Sequence, residues 1–69
     1  MNVRVKIQTR LDSLDTQLKA GEHLHSAEGV IAVLTTIASV SKFWPVLSDE
    51  ERDFVNAARL AIEDQMVWA

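Results

Sequence analysis

Apolar side chains recur along the chain at helical spacing in three runs. In the first, Val3, Ile7, Leu11, Leu14 and Leu18 follow at intervals of four, four, three and four, which aligns them on one stripe of an α-helix. Arg4, Lys6, Arg10, Asp12, Asp15 and Lys19 fall largely off that stripe. Asn2 stands where an N-cap accepts a backbone N–H, and Gly21 stands where a left-handed residue ends a helix. Asp15 and Lys19 are in the favourable i,i+4 order. A second pattern overlaps the first six positions of this run. Val3-Arg4-Val5-Lys6-Ile7-Gln8 alternates apolar with polar and is rich in β-branched residues, as a strand would be. From Thr9 onward the helix alone fits. The segment is read as a helix over about residues 3–20, with a strand as the alternative for 3–8.

After the short connection Gly21 to His25, Ser26 offers an N-cap and Glu28 an acid in the first turn. Val30, Ile31, Val33, Leu34, Ile37, Ala38 and Val40 leave almost no charged face between Gly29 and Ser41. A helix apolar nearly all round is expected to be buried on more than one side, so this second helix, about 26–43, should be the centre of the fold. Pro45 disfavours helix at Trp44 and closes the segment. The third helix, about 48–68, opens on Ser48-Asp49-Glu50-Glu51, a capping box in which Ser48 and Glu51 satisfy each other's backbone N–H. Phe54, Val55, Ala58, Ala61, Ile62, Gln65 and Met66 form its stripe. Short connections make neighbouring helices antiparallel. The fold class is therefore all-α, one three-helix domain over residues 1–69, which oligomerisation would complete.

Composition narrows the functions open to such a domain. With 69 residues, 48% of them hydrophobic, the chain buries roughly 60% of the surface exposed on unfolding, which leaves little stability in reserve. It has no cysteine, hence no disulfide or thiolate metal site. The formal charge of −3 argues against a surface built for nucleic acid. That charge is uneven: residues 1–20 carry four basic and two acidic side chains, and residues 48–69 six acidic and two basic. These read first as solvated faces that pair weakly. The N-terminus has no apolar run of a secretory signal. Gly29 to Leu47 nears the roughly 20 residues of a membrane span, but Lys42 and Pro45 interrupt it. A cytoplasmic protein without membrane association is expected.

Candidate chemistry is sparse. His23 and His25 flank Leu24 on the first connection, but histidines two apart do not share a helix face and no convincing third ligand is adjacent; both are expected at the loop surface. Ser13, Ser26, Ser39, Ser41 and Ser48 are explained by caps and helix packing, and Gly21 and Gly29 are isolated. No catalytic residue, cofactor or metal is expected. Trp44, at the break between the second and third helices, and Met66-Val67-Trp68-Ala69, an uncharged apolar terminus, either cap the protein's own core or anchor a partner, where Trp is enriched.

Two resemblances add to this reading. The alternating residues 3–8, a helix from Thr9 to Ala20 and a second helix opening at Ser26 are similar to the ribbon-helix-helix layout of DNA-binding repressors over about residues 2–42. That resemblance implies a dimer whose ribbon presents Arg4, Lys6 and Gln8 to the major groove. Phe43-Trp44-Pro45-Val46-Leu47-Ser48-Asp49-Glu50-Glu51-Arg52-Asp53-Phe54, continuing to Trp68, resembles short proteins encoded by phages that infect cyanobacteria, with similarity over about residues 11–68. It implies a phage accessory protein acting in the host cytoplasm. The expected function is a non-enzymatic protein-interaction module that associates with itself or with a host or virion protein. Its expected contact residues are Ile7, Leu11, Leu14 and Leu18 on the first stripe and Trp44, Met66 and Trp68 as anchors. The DNA-binding regulator is the alternative.

Overall fold

The computed structural model describes residues 2–67, with side chains through Asp64. Three α-helices carry the fold: α1 (Val3–Ala20), α2 (Ala27–Ser41) and α3 (Asp49–Val67). Single 3₁₀ turns at Glu22–Leu24 and Trp44–Val46 make the connections. Residues 3–8 belong to α1, so the helical reading holds there and the strand alternative does not.

Each helix start is fixed by the residue type that stands there. Asn2 Oδ1 accepts from the Arg4 amide at 2.8 Å, and Ser26 Oγ accepts from the Gly29 amide at 3.0 Å. At the third helix the capping box closes in both directions: Ser48 N donates to Glu51 Oε1 at 2.8 Å, and Glu51 N donates to Ser48 Oγ at 3.1 Å. Gly21 ends α1 with φ +73°, and its amide donates to the Gln17 carbonyl at 3.2 Å. A left-handed backbone of this kind costs glycine least. The second helix stops two residues short of the expected end at about 43. It ends at Ser41, where the Phe43 amide turns back to the Val40 carbonyl, and Pro45 then occupies the 3₁₀ turn.

Among the described residues, ten form the core. Ile7, Leu11 and Leu14 come from α1, Val33, Ile37 and Val40 from α2, Leu47 from the second connection, and Val55, Ala58 and Ile62 from α3. Leu18, Val30, Leu34, Phe43, Trp44 and Phe54 close over it, half-buried. Arg10, early in α1, bonds Ser39, late in α2, so these helices run antiparallel. Arg4 bonds Glu51, which brings the starts of α1 and α3 to the same end. Between them, α2 packs against both.

The expectation that α2 is central and buried on more than one side holds, since both other helices pack against it, but its outer face stays exposed. Its inner face buries Gly29, Val33, Ile37 and Val40. Ala27, Glu28, Ile31, Thr35, Ala38 and Lys42 are exposed along its outer side, and Ile31 is 62% accessible. Two flanking helices can cover only the flanks and inner face of a third; the outer face needs a fourth.

Gly29 seats α2 for a reason its local sequence does not show. A Cβ at this position would overlap the Glu22 carbonyl and the His23 backbone nitrogen, far inside van der Waals contact. The first connection therefore lies directly on the first turn of α2. At an unconstrained helical site Gly→Ala gains about 1 kcal/mol. Here Gly29→Ala should instead cost about 1–3 kcal/mol through backbone displacement, lowering the melting temperature in a circular-dichroism melt; a higher melting temperature would refute the contact. Leu14 is fully buried, so Leu14→Asp places an unpaired carboxylate in the core and should leave the chain unfolded in the same measurement.

Candidate interaction surface

The structure divides the sequence-predicted contact residues into three groups. Ile7, Leu11 and Leu14 are core residues of the chain's own fold and so are not on offer to a partner. Leu18 and Trp44 are half-buried against that core. Met66 lies on α3, but its side chain, like the whole of Trp68, falls outside the described residues. The first stripe was misassigned because a helical stripe reports burial and not what provides it.

Trp44 is a structural residue. Its carbonyl accepts from Arg52 Nε at 3.1 Å and Nη2 at 2.9 Å, and the same guanidinium lies 5.7 Å from the indole centroid. The fork thus ties the second connection to α3 through two hydrogen bonds and a cation–π contact. Arg10 plays the matching role between α1 and α2. Its Nε donates to Ser39 Oγ at 2.6 Å, its Nη1 donates to the Lys6 carbonyl at 3.0 Å, and it stands 5.4 Å from the Phe43 ring centroid. Thr9, Ser13, Thr35 and Thr36 line a shallow groove beside it. With the Arg10 guanidinium engaged on three sides, this groove presents hydroxyls and methyls.

Glu51 carries the strongest electrostatic contact. Beyond closing the capping box, it takes both arms of Arg4, Nη1 to Oε1 at 3.1 Å and Nη2 to Oε2 at 2.6 Å. Such a fork-to-carboxylate geometry is the strong form of ion pair. The carboxylate is 15% accessible and the guanidinium 54%. Arg4 hydrogen bonding, followed by the Ser48 amide, lowers the Glu51 pKa from 4.5 to about 2. The charge difference between the first and last segments is therefore used at one point, where it joins the starts of α1 and α3. The pair Asp15–Lys19, at 2.9 Å, is local to α1 and exposed.

The helical course of residues 3–8 also removes the ribbon on which a ribbon-helix-helix reading depends. On a helix Arg4 and Lys6 point about 200° apart, and Arg4 is held by Glu51.

His23 departs from the expected loop surface. It is buried while His25 is exposed, because the first connection lies against Gly29. His23 Nδ1 and Gln17 Oε1 are buried without a hydrogen-bond partner. No group of three metal-ligating side chains occurs among the described residues. No helix among them is long and apolar enough to cross a membrane.

The surface also carries large apolar side chains. Val5, Leu24, Ile31, Val46 and Leu60 are each more than half exposed. No protein family, curated protein or solved structure matches the chain.

The lowered Glu51 pKa gives stability a defined acid dependence. Between its ordinary 4.5 and about 2, the unfolded chain holds a proton that the folded chain does not. The contribution is complete above pH 4.5 and is lost as pH falls through that window. Glu51→Gln should be less stable than wild type at neutral pH and should lose less stability between pH 4.5 and 2 in urea titrations. Equal acid slopes for the two proteins would show that the Arg4 pair does not hold in solution. Ser48→Ala, which removes one half of the box, should cost about 1 kcal/mol.

Proposed function

We propose that the chain is a non-enzymatic helical module that works by binding protein, either a second copy of itself or another protein. The observation that carries this reading is the apolar surface outside the core: among the described residues, five large aliphatic side chains are more than half exposed, beside a core of ten. Single exposed aliphatics are ordinary on protein surfaces. Here they accompany a helix without a charged residue from Gly29 to Ser41, whose outer face is exposed among the described residues. Association would bury such surface and would add stability that a domain of this size gains with difficulty from its own core.

The resemblance of Phe43 to Trp68 to short proteins of cyanobacterial phages supplies a setting, in which the partner would be a host or virion protein. The rigid caps and the two arginine clamps support the same reading, since a preordered surface loses less entropy on binding.

Sedimentation from low to high micromolar concentration, together with capture by the immobilised chain competed by excess free chain, tests the proposal. The expected result is a concentration-dependent mass or a saturable, competed partner. A constant mass of 7.7 kDa with no competed partner would overturn it.

A further inference from the structure

The outer face of α2 is uncharged except at its two ends. Glu28, Ile31, Thr35, Ala38 and Lys42 are all exposed and follow at intervals of three, four, three and four. That is the spacing of a helix-pairing seam. On α2 the charges stand at the two ends of the seam, acid first and base last, with none between.

The hydroxyls along this face do not oppose its burial. Thr35 Oγ1 donates to the Ile31 carbonyl at 2.8 Å, and Thr36 Oγ1 donates to the Ala32 carbonyl at 3.1 Å. Each donor is already satisfied within the helix, so covering it strands no O–H group. The residues at the middle, Thr35 and Ala38, are small enough to let a second helix approach closely.

We propose that this face binds the same face of a second copy, with the two α2 helices antiparallel about a two-fold axis near Thr35. This rests on the interaction reading above and names the partner and the surface. The end charges decide the direction. Glu28 and Lys42 are fourteen residues apart, about 21 Å along the helix, so they cannot pair within one chain. A parallel arrangement would set Glu28 beside Glu28 and Lys42 beside Lys42. The antiparallel one brings each Glu28 within a helical turn of the second copy's Lys42, twice by symmetry. Spacing of three and four favours a crossing of about 20°, which keeps both ends of the seam in contact. Ile31 of each copy then covers the stretch around Ala38 of the other.

Sedimentation equilibrium of the full chain and its charge-reversal variants tests the proposal, with circular dichroism to confirm helix content. Wild type should dimerise. Glu28→Lys and Lys42→Glu should each weaken the dimer about tenfold, because an attraction becomes a repulsion at two symmetric contacts. The double variant should recover the wild-type constant to within a few-fold. The readout is association and not melting, because both reversals oppose the helix dipole. Thr35→Arg, at the axis, should be a folded monomer. A wild-type dimer indifferent to all three substitutions would overturn this surface while leaving self-association standing. A wild-type monomer would overturn the proposal and leave the binding of other proteins as the module's function.

Discussion

The fold depends on how α2 is seated, because it is the helix against which both others pack. At its start the chain must pass directly over the first turn, and Gly29 makes room where any side chain would meet backbone. At its far end Val40 is fully buried and Arg10 bridges from α1 to Ser39. Between these ends the inner face contributes Val33 and Ile37 to the core. A helix pinned in this way has one side turned inward and one side turned out. The outward side is what the functional reading concerns.

The electrostatic contacts serve the same geometry. Glu51 fixes the start of α3 through its capping box and draws the start of α1 to the same end through Arg4. Arg52 fastens the turn at Trp44, and Arg10 fastens α1 to α2. Each is a guanidinium fork linking two elements that are distant in sequence or joined by a tight turn. With a core of ten residues, such links define the relative placement of helices that apolar packing alone leaves loosely specified. The consequence is a surface held in one arrangement, which is what binding another protein requires.

Much of this was legible in the chain. Asn2, Ser26, Ser48 with Glu51, and Gly21 cap their helices as their residue types imply, and the stripe Ile7, Leu11, Leu14 is buried. These are local matters of spacing and hydrogen bonding. Arg4 with Glu51, the burial of His23 and the need for glycine at 29 were not legible. Each arises from two segments meeting, and no short-range pattern encodes which segments meet. The second helix is the most informative. The absence of charge from Gly29 to Ser41 implies a central helix buried on more than one side, and both other helices do pack against it. Which of its faces the described residues leave exposed depends on where those helices sit, and the run itself does not encode that. Of the contact residues expected on α1, Ile7, Leu11 and Leu14 are core and Leu18 is half-buried against it, whereas Ile31, part of the apolar run of the second helix, is exposed.

The central claim is that the outer face of α2 meets its own copy in antiparallel register. It is tested most directly by isotope-filtered NOE spectroscopy on a mixture of labelled and unlabelled chains. Ile31 and Ala38 are two helical turns apart within one chain, about 10 Å along the axis, so a cross-peak between their methyl groups must come from two molecules. The account predicts that filtered cross-peak. A mixed sample with no intermolecular signal from Ile31, Thr35 or Ala38 would contradict it.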